Sequence, residues 1–378
     1  MVNQYAGNTV FNYNPFSNPS RGLATFLRMT YNSLDTSDSS MGYGWSLSAT
    51  SLMRLGTPLD LHPKGKDWPT EVTLTDGDGT SHTFELKQPD KTDESTWYYK
   101  RPAGVHFYLQ KDGSKEERQW VMTRPDRTQF FFDGEGFLSA IVDKNGNELL
   151  FTYEEKKSNN KPTKFLKYIT DPTRRQTLTL EYYQKGEDYT YFDGDTKTED
   201  TKLNNPKIID KVKSITDISG RTITFTYSDK GLMREMVDGA GTDEAKTFGF
   251  TYDATNTNKN TKLVKITDPR GNATNLDYYM PSDSDTDQLN KWRLRTLTDR
   301  EGGETAFDYV DPDGTGGSNI QSTVTDAKGN DTQYVMDGFG RPVKTTNAKG
   351  EVTQLSWDQD NNVIRLEEDN EAGHHLDV

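Results

Sequence analysis

One pattern of residues recurs along this chain from about residue 130 to its end, and it limits the fold more than any other feature. An alternating apolar run leads into Thr/Val-Asp-x-x-Gly, and a second alternating run follows that ends in an aromatic pair. Copies are Ile141-Val-Asp143-Lys-Asn-Gly146 to Phe151-Thr-Tyr153, Ile215-Thr-Asp217-Ile-Ser-Gly220 to Phe225-Thr-Tyr227, and Ile266-Thr-Asp268-Pro-Arg-Gly271 to Leu276-Asp-Tyr278. Three more are Leu297-Thr-Asp299-Arg-Glu-Gly302 to Phe307-Asp-Tyr309, Val324-Thr-Asp326-Ala-Lys-Gly329 to Tyr334, and Thr346-Asn347-Ala-Lys-Gly350 to Leu355-Ser-Trp357. A degenerate copy at Ile169-Thr-Asp171-Pro-Thr-Arg174 lacks the glycine.

Each copy reads as a β-hairpin. Asp at the first turn position can bind the backbone two residues on, and Gly supplies the positive φ that closes a short turn. The period-2 flanks put one side of each strand against a core. A second set of turns, at Asp133, Asp229, Asp337 and Asp358, connects one unit to the next. The loops Glu154–Pro162 and Asp193–Asn205 are expected to lengthen some intervals. A lone hairpin is marginal in water, so the units must stack sideways into a larger sheet, giving an all-β, partly spiralling strip of hairpins.

The first third has a different texture. Residues 1–60 read as an irregular lead-in, Asn14-Pro-Phe-Ser-Asn-Pro19, followed by two strands, Leu27–Ser33 and Gly42–Ser48. Residues 61–132 form an N-terminal β-rich region, 133–370 the hairpin strip, and 371–378 a polar tail. No capped amphipathic helix of more than two turns is expected.

Composition is consistent with an ordered sheet held by rings. Low aliphatic content and a net charge of −14 lean toward disorder, but 19 Tyr, 17 Phe and 6 Trp supply burial in place of a thick aliphatic core. Cysteine is absent, which removes disulfides and thiolate chemistry. The acidic balance disfavours nucleic-acid binding, and no stretch reaches the ~20 apolar residues of a membrane span. Met1–Tyr13 carries no signal peptide pattern.

Chemistry-bearing motifs are weak. His62, His82, His106, His374 and His375 stand in no ligand spacing, and Gly42-Tyr43-Gly-Trp45-Ser46 lacks the second glycine of a nucleophile elbow. Asp283, Asp285 and Asp287 begin like a calcium loop, but Gln288 and Leu294 occupy positions that need glycine and glutamate. Asp193 with Asp195, Asp311 with Asp313, and Asp358 with Asp360 read as exposed turn chemistry. No catalytic residue, cofactor site or metal site is assigned.

The Asp-x-x-Gly-(Asn/Arg)-x-Thr units with their aromatic ends resemble the YD repeats of the Rhs and wall-associated protein family. The lead-in, Arg28-Met-Thr-Tyr-Asn-Ser33 followed by Gly42–Ser46, resembles the segment that opens the repeat region in wall-associated members of Gram-positive bacteria. The resemblance implies export to the cell wall or surface, and a β-shell that encloses a C-terminal toxin or other cargo in contact-dependent competition between bacteria. The chain departs from the full pattern. The family's self-cleavage core, ending in Asp-Pro-x-Gly-Leu, is missing, because Asp268-Pro-Arg-Gly271 and Asp311-Pro-Asp-Gly314 lie mid-chain. The repeats are also too few for a closed shell, so the expectation is an N-terminal portion without autoproteolysis or toxicity.

Three functions follow: a non-enzymatic scaffold whose inner face is lined by Tyr43, Trp45, Tyr153, Tyr227, Tyr278, Tyr309, Tyr334 and Trp357; a cell-wall or surface-glycan binding module that exposes those rings; and a glycan-active enzyme with an unlocated carboxylate pair. Burial of Trp45, Trp97, Trp120, Trp292 and Trp357 discriminates the first two.

Overall fold

The computed structural model describes residues 2–49, 54–56, 69–76, 81–87, 90, 92–158, 161–253, 261–281, 290–312, 314 and 319–369. Among them the fold is all-β, and the helical element is one 3-10 turn, Glu94–Thr96. Two compact units divide the chain: one comprises Asn12–Thr30 and Ser37–Lys246, the other Met1–Phe11, Tyr31–Thr36 and Thr247–Val378.

In the first of these units, strands from Arg54–Leu55 to Met233–Asp238 pair antiparallel in chain order. One hairpin interrupts the order. Tyr189–Asp193 and Thr196–Asp200 are inserted between Gln176–Tyr182 and Val212–Asp217, which pair with each other directly. Tyr189–Asp193 then lies parallel to Thr222–Ser228, with Tyr191 opposite Tyr227. In the second unit, strands from Lys262–Thr267 to Val363–Asp369 likewise pair in succession.

Alternation sorts the faces. In the Val212–Asp217/Thr222–Ser228 hairpin, Ile215 faces Ile223 in the core, and the solvent side carries Thr216 and Thr222, whose hydroxyls lie 3.0 Å apart. Such threonine pairs are typical cross-strand partners.

The hairpins turn by one shared mechanism. At Asp143 the backbone N–H donates to the Asn147 carbonyl at 3.0 Å, and the Gly146 N–H donates to the Asp143 carbonyl at 3.0 Å. Gly146 has φ 80°, so the loop is a type I turn closed by a left-handed residue. The same bonds recur at Asp217, Asp268, Asp299, Asp326 and Asn347, with Gly220, Gly271, Gly302, Gly329 and Gly350 in the left-handed position. A Cβ added at Gly146 or Gly220 would touch nothing within 4 Å, so the requirement there is conformational and not spatial. The connecting turns at Asp133, Asp337 and Asp358 repeat this geometry.

Several expectations need correction. The turn expected at Asp229 begins one residue earlier: Ser228 N–H donates to Leu232 and the Ser228 hydroxyl replaces the carboxylate, accepting from Lys230 N–H and Leu232 N–H. In its described residues the expected loop 154–162 is instead part of the arms of a long hairpin, Glu148–Ser158 with Lys161–Thr170, which stay paired as far as Ser158 opposite Lys161. The expected loop Asp193–Asn205 contains the strand Thr196–Asp200. The lead-in is not irregular either. Val10–Asn18 is a strand that tolerates Pro15 because it lies at the edge of a three-stranded sheet with Thr25–Asn32 and Trp45–Ala49. His62, His374, His375, Asp283, Asp285, Asp287 and Asp313, with the tail, lie outside the described residues.

The degenerate turn offers a direct test. Arg174 occupies the glycine position of the Asp171 turn with φ 68°. Left-handed backbone costs an ordinary L-residue roughly 1–2 kcal/mol. Gly220→Ala is therefore expected to lower unfolding free energy by about 1 kcal/mol, and Arg174→Gly to raise it by a smaller amount, in urea titrations.

Candidate functional site: the aromatic face and its N-terminal cover

The aromatic residue that ends a hairpin's second strand performs a specific task. Tyr227 is fully buried, and its hydroxyl donates at 2.9 Å to the carbonyl of Val212, 15 residues earlier at the start of the first strand. Tyr153 does the same to Leu138 at 2.8 Å and Tyr278 to Leu263 at 3.0 Å, each again over 15 residues. Trp357 substitutes its indole N–H, donating to Pro342 at 2.8 Å with the same separation of 15. Tyr182 reaches Leu166 at 2.8 Å over 16. A register shift precedes each ring, at Thr152/Tyr153, Thr226/Tyr227, Asp277/Tyr278 and Ser356/Trp357. The bulge turns the aromatic residue under the hairpin.

Two copies depart from this rule. Tyr309 sits at the matching offset from Leu294 with 1% exposure, yet its buried hydroxyl has no hydrogen-bond partner among the described residues, and the Arg293 guanidinium lies 5.0 Å from its ring centre. Tyr334, expected as a closing aromatic, is only half-buried opposite Ser322 and Thr345. Met336, two residues on and 3% exposed, fills the closing position opposite Ile320. Trp45 is fully buried, while Tyr43, Tyr153 and Trp357 are half-buried. Trp97 and Trp120 are buried and Trp292 half-buried, so these rings are packed into the sheet.

Doubled tyrosines add links that the sequence pattern did not suggest. Tyr183 donates to the Phe225 carbonyl at 2.9 Å and packs edge-on against Tyr227, centres 6.1 Å apart. Tyr279 donates to Phe307 at 2.9 Å and packs edge-on against Tyr309 at 6.4 Å. The signal was present as Tyr182-Tyr183 and Tyr278-Tyr279: the first residue closes its own hairpin and the second reaches the next.

In each unit a piece of the N-terminal segment covers this face. Within the first unit, Thr25 pairs with Thr177, Ser20 with Asp171, and Val212 N–H donates to the Ser40 carbonyl. Buried Lys211 binds Asp38 at 2.6 Å and the Ser39 carbonyl at 3.0 Å. Tyr13 donates to Asp238, which also takes two bonds from Arg221. Within the second unit, Leu294 N–H donates to the Gly7 carbonyl, Leu263 N–H to the Tyr31 hydroxyl, and Lys262 Nζ to the Ser33 carbonyl. Lys262 is 2% exposed, with Trp292 5.7 Å from its Nζ, and burial pushes its ammonium down to about 8. Lys211 and Lys262 each immediately precede the residue whose carbonyl receives the closing tyrosine.

The turn carboxylates are committed as well. Asp143 accepts from Asn145 N–H and Asn147 N–H with one oxygen and from the Asn147 amide with the other. Asn147, Asn330 and Asn362 side chains hold Asp143, Asp326 and Asp358 below the usual carboxylate range. Arg341 serves Asp337 in the same position, which accounts for the Asn/Arg in the repeat. Arg221 is the exception, leaving Asp217 for Asp238. Among the described residues no group of three His, Asp or Glu is arranged to hold a metal. His106 Nδ1 lies 2.7 Å from Arg101, and His82 sits opposite Leu74 in a strand pair.

No family model matches the chain. Over 163 residues, 41% of this chain, it is 31% identical to the tRNA3(Ser)-specific nuclease WapA of Bacillus spizizenii and 30% identical to the tRNA nuclease WapA of Bacillus subtilis strain 168. The chain spans about 6% of the length of these relatives. Among solved structures, a Photorhabdus luminescens Tc holotoxin pore matches over 94% of this chain and 17% of its own, at 15% identity and a TM-score of 0.40. The N-terminal domain of the Salmonella typhimurium effector SpvB matches over 66% of this chain and 97% of its own, at 10% identity and 0.32. The hairpin module, repeated with its Asp-x-x-Gly turn and closing tyrosine, resembles that of YD/Rhs-repeat proteins. In sequence it is WapA-like.

The closing bond is tested by removing single hydroxyls. Tyr227→Phe leaves the buried Val212 carbonyl short of a donor and is expected to cost about 1–3 kcal/mol, whereas Tyr309→Phe removes an unbonded hydroxyl and should be neutral or stabilising. Equilibrium denaturation of both variants ranks them; equal losses would contradict the assignment.

The Lys262 seat has a pH signature. Its folded pKa of about 8 lies below the ordinary lysine value, so burial of the charged form costs stability up to pH 8 and the cost fades as pH rises toward ~10. Lys262→Met removes that dependence. The unfolding free energy of the unsubstituted protein minus that of the variant should therefore climb by up to about 3 kcal/mol between pH 8 and 10.

Proposed function

We propose that this chain is a non-enzymatic structural segment of a secreted or cell-surface toxin carrier, forming part of a β-shell that encloses or presents a C-terminal toxin. Contact-dependent competition between bacteria is the setting this reading implies. The observation that carries it is the commitment of the rings of the repeat: Tyr153, Tyr227, Tyr278 and Trp357 each spend their polar atom on a backbone carbonyl inside the hairpin. Groups engaged this way build a wall and are not free to do chemistry or bind sugar. The WapA relatives carry nuclease names and are far longer than this chain, which supports placing the named activity in other parts of such proteins. No helix among the described residues is long and apolar enough to cross a membrane.

Two measurements test the reading. Incubated with total tRNA, and followed by intact mass, the purified chain should leave the RNA whole and itself uncut. In the native full-length protein, deleting the hairpins should make the C-terminal region markedly more sensitive to added protease. Cleavage of RNA by the isolated chain, or unchanged protease sensitivity after the deletion, would contradict the proposal.

A further inference from the structure

One hairpin of the repeat breaks the pattern of the solvent side. Beside the Asp217, Asp268 and Asp326 turns the outward cross-strand pairs are polar: Ser214 with Thr224, Lys265 with Asn275, and Thr323 with Gln333. The matching pair beside the Asp143 turn is Ala140 with Leu150. Ala140 continues a row formed by Val121 and Phe131 on the two preceding strands, and the three make a small apolar cluster against which half-buried Leu150 packs. The opposite face of these strands already supplies a core in Trp120, Phe130, Ile141 and Leu149, so the fold does not call for a second one here.

Two elements flank this outer cluster. On one side is the tip between Tyr108–Lys115 and Arg118–Thr123, held to the sheet where the Ser139 hydroxyl donates to the Glu117 carbonyl. The Arg118 guanidinium lies 4.8 Å from the Phe131 ring centre. On the other side is the long hairpin Glu148–Ser158 with Lys161–Thr170, which carries Glu155 opposite Lys164. Between them lies an open cleft of ≈ 590 Å³ whose lining includes Glu116, Glu117, Ala140, Leu150, Glu155 and Lys164. Small-molecule sites occupy roughly 300–1,000 Å³.

Charge decides what fits. Both cations of the cleft are already matched: Arg118 pairs with Glu148, and Lys164 lies 2.8 Å from Asp133 and 3.2 Å from Glu135. Glu155, at 4.0 Å, is the most distant partner of that same ammonium, and no lysine or arginine of the described residues pairs with Glu116 or Glu117. Carboxylates are thus in excess on both walls, with a hydrocarbon floor between them. An anion is repelled, and among the described residues no group of three acids or histidines is arranged for a metal ion. A cation whose charges are separated by methylenes suits both features. Its ammoniums form charge-assisted hydrogen bonds at the walls, and its stem covers Leu150 and Ala140.

We infer that this cleft binds a linear aliphatic polyamine, with one ammonium at Glu116 and Glu117, another at Glu155, and the methylenes between them on Leu150. The assignment stands apart from the carrier reading, because it uses the face away from the closing bonds.

Isothermal calorimetry of the full chain with spermidine, cadaverine and ethylenediamine tests it. Spermidine and cadaverine should bind. Ethylenediamine carries the same two amines as cadaverine on too short a stem to span the floor, and should bind at least about tenfold more weakly. A capped Gly-Lys-Gly peptide, which offers a protein's lysine in place of a free polyamine, should also bind at least about tenfold more weakly than cadaverine. The double variant Glu116→Gln with Glu117→Gln, and separately Glu155→Gln, should each weaken cadaverine binding by at least about tenfold, and Leu150→Thr by at least about fivefold. Asp243→Asn with Glu244→Gln removes two exposed charges from a different turn and should stay within about twofold. Unfolding midpoints show that each variant retains the fold. Absence of binding, equal binding of ethylenediamine or of the peptide, or wall variants that bind no more weakly than the Asp243/Glu244 variant while folded would each overturn the inference.

Discussion

The structure depends on one bond that hides inside most of the repeat hairpins: a phenol or indole donor meeting the carbonyl that opens the first strand. A two-stranded hairpin has too little apolar surface to stand alone in water. Its base is the weak point, because the ladder ends there and carbonyls face into the core with no strand opposite. Placing a tyrosine at the end of the second strand answers both needs with one side chain. The ring supplies buried area, and the hydroxyl removes an unsatisfied acceptor whose desolvation would cost more than the bond itself contributes. Tyr227, with no exposure and a 2.9 Å bond to Val212, shows the complete form. Met336 shows the reduced one, in which volume is kept and the donor is lost.

The N-terminal segment follows from the same constraint. A face of stacked aromatic hairpins is apolar over its length and must be covered, and in each unit part of the first 49 residues does so. The fastening is polar and long-range: Lys211 reaches Asp38 across 173 positions, and Lys262 reaches Ser33 across 229. Lys211 is given a carboxylate, which offsets only part of the cost of burying its charge, and burial still lowers its pKa. Lys262 meets a carbonyl and an indole face, and burial lowers its pKa further, to about 8. Burial thins toward the end of the second unit. Tyr278, Leu294, Tyr309, Ile320 and Met336 are buried, but the strands Pro342–Thr346 and Val352–Trp357 contain no fully buried residue. Modules held by nearest neighbours lose protection where neighbours run out.

How much of this was legible in the sequence depends on the range of each interaction. The turns were readable because everything that makes them lies within five residues: Asp143 bonds Asn145 and Asn147, and Gly146 alone takes the left-handed angle. The Ser228 turn was misplaced by one residue because Asp229 resembles the usual first position, although the Ser228 hydroxyl performs the same local task. The hairpin ends were readable as aromatic positions but not as donors, since the carbonyl acceptor carries no side-chain signature. Tyr334 was chosen over Met336 on residue type, and only the pairing of Met336 with Ile320 corrects it. Lys211 and Lys262 were invisible for a different reason. A lysine at a strand's start reads as solvated, and what buries it is encoded some two hundred residues away.

What remains open to variation is set by what is already committed. Turn carboxylates are occupied by their own backbone, closing aromatics by carbonyls, and the core face by the N-terminal segment. Of the surfaces the hairpins offer, the solvent side of the strands is the one whose residues neither the turn nor the closure dictates. Over most modules it carries threonine, which suits a pleated surface and asks for nothing beyond a neighbour's hydroxyl. Departures from threonine on that side are therefore the informative positions. On Tyr98–Lys100 and Tyr108–Lys115 they are two rings, an amide and a lysine in one cluster, a combination that sheet stability does not require. A repeat whose inner residues are fixed by folding can acquire binding on its outer face without disturbing the wall, because substitutions there leave each closing bond in place.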